Sequence, residues 1–325
     1  MRKQTEMSVD GLLIVDKPEG MISLDVVKQI KRRFHVKKAG HIGTLDPFAT
    51  GVLPVVMNEG TKLVPFLEEE PKVYDAVLKL GEETTTDDFT GRVVFKGGWK
   101  DVTPERIHAI LPGFLGKIQQ VPPMFSALKV KGKPLYQLAR QGIEVERKSR
   151  VIEIFSIEVR GIQLPEVHFR VSCSKGTYIR TLAKDIGRRI GCGATLLSLR
   201  RIRSGLFVLE WAIPWERLMT FSGSEALRPW LISLTEALPR LPELIGNEQL
   251  VRKLRFGRRM SVRDFSTHIL PPFEKGEWLK LTSPVEGLVA ILRSEVGDSE
   301  MGRTDPESVA FQPLRVFQQQ KMMTQ

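Results

Sequence analysis

The sequence predicts an α+β fold, mixed and rich in strands, divided between two domains. Strand-like segments at 72–80, 150–163, 166–174 and 196–207 outnumber the amphipathic helical segments at 23–34 and 177–189. A chain of 325 residues is long for a single core. Pro239 and Pro242 bracket a change in character, after which short apolar runs recur between glycines and prolines.

Taken in order, Gly11 to Val15 reads as an apolar strand ending in the Lys17-Pro18-Glu19-Gly20 turn. Ser23 is the expected N-cap of a helix with the apolar stripe Val26, Val27, Ile30 and Phe34. Its outer side carries Lys28, Lys31, Arg32 and Arg33. Val52 to Met57 reads as a buried strand, and Lys72 to Leu80 as another that leads to a turn at Asp88-Phe89-Thr90-Gly91. Thr103-Pro104-Glu105 is a helix start, with Thr as cap and Pro at the first helical position. Leu135 to Gln141 is a short helix between Gly132-Lys133-Pro134 and Gly142. Arg150 to Gln163 and Glu166 to Ser174 read as strands, Thr177 to Arg189 as a helix, and Leu196 to Phe207 as a strand with a basic face. After the expected linker at Pro239 to Pro242 comes a helix from Asn247 with Leu250, Val251 and Leu254 on one face. Glu277 to Leu281, Gly287 to Leu292 and Pro313 to Phe317 are strand candidates, and Gln318 to Gln325 is expected to fray.

With 42% hydrophobic residues the chain has enough apolar content for ordinary globular packing. Its net charge of +11 favours a polyanionic partner or an anionic membrane surface. The excess is concentrated: residues 124–150 carry a net +5 and residues 175–203 a net +7, leaving the remainder close to neutral. Either cluster alone could be a solvated face. Two that hold the whole excess read better as a footprint for an RNA backbone. No run approaches the roughly 20 apolar residues of a membrane span, and Met1 to Asp10 lacks the apolar core of a signal peptide. Cys173 and Cys192 have no metal-ligand spacing. A cytoplasmic protein without a metal site is expected.

The most informative segment is Gly40-His41-Ile42-Gly43-Thr44-Leu45-Asp46-Pro47-Phe48-Ala49-Thr50-Gly51-Val52-Leu53, in which Asp46 is the one acidic residue. Pro47 removes a donor and disfavours helical geometry at Asp46. The stretch reads as a stiff loop that presents one carboxylate. From these residues alone, Asp46 is either a turn-capping side chain or a chemical group on display.

Four more segments accompany this loop in order: Val15-Asp16-Lys17-Pro18-Glu19-Gly20, Lys72-Val73-Tyr74-Asp75-Ala76, Gln120-Val121-Pro122-Pro123-Met124-Phe125-Ser126-Ala127-Leu128-Lys129 and Cys173-Ser174-Lys175-Gly176-Thr177-Tyr178-Ile179-Arg180-Thr181-Leu182. Together they resemble the TruB-type tRNA pseudouridine synthases, and five ordered motifs are far more specific than one. The resemblance implies a mainly antiparallel pseudouridine synthase catalytic domain over 1–238, with an RNA-gripping insertion at about 124–150. Residues 243–325 resemble, more weakly, a small β-rich PUA-type RNA-binding domain. The implied reaction converts a uridine of the tRNA TΨC loop to pseudouridine without a metal or other cofactor. The partner is tRNA itself, read by a monomer with no obligate protein partner.

Carried onto this chain, the resemblance makes Asp46 the catalytic carboxylate and Arg180 its partner. An arginine can grip a carboxylate bidentately and keep it ionised in an apolar pocket. Read without the family, in a window crowded with basic residues, Arg180 is better taken as a phosphate contact or a surface charge. Tyr74 matches a residue that stacks on the flipped base, against the alternative of a core tyrosine on an alternating strand. Tyr178 matches a base-contacting position, Leu199 an apolar pocket wall, and His41 a residue that contacts displaced loop bases. Lys129 and Lys131 fall in the insertion that grips RNA, while Lys17 and Pro18 shape the pocket from beneath. Ile22 and Ile42 depart from the family pattern, where Thr and a smaller or polar residue are usual.

Two other readings share these features. A dyskerin-like synthase would need a guide RNA and accessory proteins. A non-catalytic RNA-folding module would use the same charges and aromatics, but would not need Asp46 opposite Arg180.

Overall fold

A computed structural model describes residues 9–67, 71–130 and 132–318. Its main sheet runs in the order Ile213–Pro214, Gly11–Lys17, Thr50–Met57, Ala194–Ser204, Lys72–Leu80, Glu166–Cys173, Arg150–Gln163, Gly116–Gln120. Every neighbouring pair is antiparallel except two: Gly11–Lys17 with Ile213–Pro214, and Thr50–Met57 with Ala194–Ser204. The second of these parallel contacts is the seam at the centre of the sheet. The architecture is the mixed, mainly antiparallel α+β class that the sequence predicts.

The Lys72–Leu80 strand shows why the alternation was readable. Lys72, Tyr74, Ala76, Leu78 and Leu80 are buried on one face, and the residues between them are half-buried. On that other face Asp75 receives a bidentate grip from Arg170 at 2.6 and 2.8 Å. The helix Ile179–Ile190 covers the buried face with Ile179, Leu182, Ala183, Ile186 and Ile190. Each fully buried Leu or Ile there contributes about 1.5–3 kcal/mol. Gly191 ends the helix in the left-handed conformation at φ 98°.

Ser23 is not an N-cap. The helix spans Ser23–Arg33 and begins after Ile22, which makes no side-chain cap. Ser23 is buried instead, its hydroxyl donating to the Leu45 carbonyl (3.1 Å) and accepting from the Leu45 N–H (2.9 Å). Thr103 does cap the helix Pro104–Ile110, accepting from Arg106 N. The short strand at Gly116–Gln120, unread from the sequence, closes the sheet against Arg150–Gln163. Its pattern GKIQQ offers one strongly apolar residue, too few for alternation to register.

Beyond the main sheet, Glu243–Ile245, Trp278–Ser283, Gly287–Ser294, Val309–Val316 and Met260–Ser261 form a five-stranded sheet. Asn247 caps the helix Glu248–Arg255, whose Leu250, Val251 and Leu254 are buried as the periodicity requires. The expected linker is not a free connection. Leu234, Ala237 and Leu238 are buried in a cluster that joins Leu12 and Ile14 to Leu288, Ile291 and Phe317. Apolar contact therefore continues across the stretch where prolines alone suggest a break. Of the terminal segment expected to fray, Gln318 donates its N–H to Glu59 Oε2 at 2.8 Å, and 319–325 lie outside the described residues. No helix among the described residues is long and apolar enough to cross a membrane.

Candidate active site

Asp46 lies between the short strand Ala39–His41 and the strand Thr50–Met57, in a loop fastened on both sides of the aspartate. Ser23 holds the backbone N–H and carbonyl of Leu45. The Pro47 carbonyl accepts from Gly20 N (2.8 Å) and from Lys17 Nζ (3.0 Å). The Lys17 ammonium is fully buried and also donates to the carbonyls of Pro18 (2.8 Å) and Met21 (2.6 Å). Hydrogen bonds to a charged group are each worth about 1.5–3 kcal/mol, so the clamp is stiff. Burial lowers the Lys17 pKa to about 8, against the pull of Asp46 and Glu19 in the other direction.

Arg180 meets this loop from the second residue of the helix Ile179–Ile190. Its Nε donates to Asp46 Oδ2 at 2.8 Å and its Nη2 to Asp46 Oδ1 at 3.0 Å. Nη1 donates to the Thr86 carbonyl and Nη2 to the Phe125 carbonyl, both at 2.9 Å. Asp88 stands 3.7 Å from Nη1. The arginine is 3% exposed, while the Asp46 side chain keeps 32% of its surface open. Both Asp46 oxygens go to Arg180, so the side chain does not act as a turn cap among the described hydrogen bonds. The turn is closed instead by its backbone carbonyl, which accepts from Ala49 N at 3.1 Å. Enclosure by the cavity walls raises the Asp46 carboxyl above its usual value, Arg180 and Lys17 pull it back, and Asp88 adds to the rise. A bidentate guanidinium favours the ionised form, and the partial desolvation makes that carboxylate more basic than one in water.

The carboxylate opens into a cavity of about 850 Å³ lined by Tyr74, Tyr178, Leu199, Arg180, Arg201 and the Ser126-Ala127-Leu128 turn. Tyr74 is 8% exposed, and burial raises its phenol pKa while the Arg201 guanidinium opposes the shift. Gln120 fixes the entry to the helix, its Nε2 donating to the Tyr178 carbonyl (3.1 Å) and its Oε1 accepting from Tyr178 N (2.8 Å). Among the described residues no group of three or more His, Cys, Asp or Glu side chains is arranged to hold a metal ion.

A family model for the N-terminal domain of TruB family pseudouridylate synthases matches residues 31–179, and one for the tRNA pseudouridylate synthase B C-terminal domain matches 180–238. The tRNA pseudouridine synthase B of Geobacter sulfurreducens is 46% identical over 309 residues, covering 95% of this chain and 100% of that protein. The chain belongs to the TruB family of pseudouridylate synthases. The tRNA pseudouridine synthase B of Clostridium kluyveri is 45% identical over 79% of this chain and 87% of its own. Among solved structures, a chain of a Cbf5-Nop10-Gar1 complex shares the fold with a TM-score of 0.70 at 29% identity, covering 95% of this chain and 85% of that one.

The remaining residues expected to serve this TruB-family site are placed unevenly. Leu199 is 6% exposed and Tyr178 half-buried, and both line the cavity. His41 is not part of the lining. Its Nε2 lies 3.1 Å from Thr44 Oγ1, and burial, then Arg201, lowers its pKa. Lys129 is exposed at the start of the small hairpin Lys129–Val130 and Lys133–Pro134, and Lys131 lies outside the described residues. Ile42 is 1% exposed and Ile22 is 42% exposed, so the first departure from the family pattern fills core space and the second faces solvent.

The second basic window carries less free charge than its count suggests. Within it Arg180 pairs with Asp46, Lys184 with Asp87, Arg188 with Glu83 and Arg200 with Asp16, while Arg201 is 1% exposed. Counting charge in a window misses acids delivered by other strands. The first window keeps Lys129, Lys133 and Lys148 exposed. Replacing Lys129 and Lys133 by Ala is therefore expected to weaken RNA binding and lower its salt slope by about 2, with little change at saturating RNA. Titrations at several salt concentrations check this, and an unchanged slope contradicts it. The places of Asp88, Ser23, Gln120 and Arg201 at the site escaped the sequence reading. Only Asp88 left a signal, as an acid in a Thr-rich turn, where its Oδ1 accepts from Thr86 Oγ1, Thr90 N and Thr90 Oγ1.

Proposed function

We propose that the chain converts a uridine in the TΨC loop of tRNA to pseudouridine, acting as a free cytoplasmic enzyme on the RNA alone. The observation that carries this is the Asp46–Arg180 pair at the wall of a cavity of about 850 Å³, ample for an extruded nucleotide, within a TruB-family fold. A folding module has no use for a desolvated carboxylate held bidentately at the pocket wall. The exposed lysines of the insertion favour direct capture of RNA over delivery by a guide. Residues 243–318 serve in this reading as a PUA-type RNA-binding domain.

The target nucleotide must first leave its stack, which costs a few kcal/mol. Tyr74, whose ring borders the cavity, stacks on the extruded base and offsets this by about 1–3 kcal/mol. The bond between C1′ and N1 then breaks, and its electron pair leaves with the uracil. An Asp46 oxygen either adds to the sugar or removes a sugar proton to give a glycal, and both routes need the carboxylate ionised. The detached uracil turns within the cavity and C5 bonds to C1′, which breaks the Asp46–C1′ bond in the first route and returns the abstracted proton to C2′ in the second; C5 then loses its proton and N1 is protonated. Leu199 and the Ser126-Ala127-Leu128 turn close the space around the base so that it reattaches rather than escapes.

Two predictions arise here. Tyr74→Phe should bind RNA nearly as well as the native protein, because the π-face remains, whereas Tyr74→Leu should lose most turnover. Equally poor binding by both would leave Tyr74 a packing residue. Lys17 gives a pH signature. Its folded value near 8 lies below the unfolded 10.5. The unfolded chain therefore holds more protons between those values, and this group's contribution to stability improves as pH rises through that window. The deprotonated amine nevertheless has one donor fewer for its three carbonyls, which loosens Pro47 and the loop. Turnover is expected to fall above about pH 8 without a parallel fall in Tm, and this step should vanish in Lys17→Met.

The test of the function is incubation of the purified chain with a bare TΨC stem-loop, with no guide RNA and no second protein. Pseudouridine in the loop supports the proposal. Product that appears only with added guide RNA and accessory proteins would assign the dyskerin-like route.

A further inference from the structure

Three strands meet at Arg201, and the meeting point lies directly beneath the cavity. On the antiparallel side Arg201 is the cross-strand partner of Tyr74, and on the parallel side it is the partner of Gly51. Gly51 has φ 99°, and a Cβ there would lie 2.2 Å from the Arg201 carbonyl oxygen, so the seam closes only because this residue has no side chain. A register irregularity between Arg201 and Arg203 bends the strand at this point, a device that re-aims side chains beside functional sites.

The side chain itself is 1% exposed. Its Nε donates to the Val52 carbonyl at 2.7 Å and its Nη2 to the Gly43 carbonyl at 2.8 Å, in the loop that carries Asp46. Directly opposed residues of an antiparallel pair project to the same face, so Arg201 and Tyr74 stand side by side in the cavity lining, where the guanidinium opposes the rise that burial imposes on the phenol pKa. No carboxylate pairs with it among the described residues. A seam that needed only filling would be served by an apolar side chain, since a buried unpaired cation is costly. An arginine at this position makes sense if its fork joins two parts of the site that must keep a fixed relation.

Resting on the function proposed above, we infer that Arg201 is a positioning residue for the base-binding wall. It holds the Tyr74 phenol and the Gly43 turn in one geometry, so that the base stacked on Tyr74 presents its glycosidic bond to Asp46. It touches neither the sugar nor the carboxylate.

The test is a double-mutant cycle between Arg201→Gln and Tyr74→Phe, read as single-turnover kcat and as KM for a tRNA transcript. A second readout is the ¹⁹F resonance of fluorotyrosine in a Tyr136→Phe, Tyr178→Phe chain, where Tyr74 is the only tyrosine. Arg201→Gln is expected to lower kcat on the order of a hundredfold, as a small misplacement of reacting groups does. KM should hardly change, and the Tyr74 resonance should shift. In the Tyr74→Phe background the further loss should be much smaller, because the two residues act as one unit. Arg201→Lys, which keeps the charge and loses the fork, should recover only part of kcat and stands in if the Gln variant does not fold. Full additivity, an unshifted resonance, or a lowered Tm with unchanged kcat would each overturn the inference. Asp46 dependence would survive any of these results, so failure here is distinct from failure of the proposed function.

Discussion

Asp46→Asn is expected to fold, to bind tRNA with near native affinity and to form no pseudouridine. Asn keeps the size of Asp and can still accept from Arg180 through its amide oxygen, but it is uncharged and a very poor nucleophile or base. Its backbone carbonyl still closes the turn with Ala49, and Ser23, Lys17 and Gly20 still hold the residues on either side. Arg180 retains the carbonyls of Thr86 and Phe125, with Asp88 nearby, so its charge is not stranded. A destabilisation of about 1–3 kcal/mol is the expected scale for a weakened buried polar contact. Thermal melting, filter binding and a pseudouridine assay on one preparation check all three parts.

Arg180→Lys is expected to lose most turnover even though the charge is kept. The guanidinium makes four hydrogen bonds in three directions, two of them a parallel pair to Asp46. A lysine ammonium has three donors and no planar fork, and at 3% exposure water cannot supply the missing contacts. The carboxylate would remain ionised and swing free of its fixed orientation. Such loss of alignment is worth on the order of a hundredfold in kcat. Single-turnover rates at saturating tRNA measure it, and a variant within a few fold of the native rate would show that charge alone suffices.

What the sequence disclosed depended on the range of the interaction. The Lys72–Leu80 and Arg150–Gln163 strands and the Asn247-capped helix follow from periodicity and capping, which are local. The Asp46 loop stood out because Pro47 and its glycines set its shape within a few residues. The parts that were misread depend on partners distant in sequence. Ser23 looked like a cap because its bond to Leu45, 22 residues away, leaves no mark nearby. Lys184, Arg188 and Arg200 looked free because their acids are Asp87, Glu83 and Asp16. Arg201 looked like one more basic side chain on a basic strand, although the parallel seam buries it. Pairing of the Asp46 and Arg180 motifs came from family resemblance, since 134 residues separate them and no spacing rule connects them.

The most direct test of the account is to map pseudouridine in bulk tRNA from cells that lack this protein and are complemented with the native chain or with Asp46→Asn. The modification in the TΨC loop should disappear with the protein and return with the native chain alone. Its return with Asp46→Asn, at equal protein level, would contradict the assignment of Asp46 as the catalytic carboxylate.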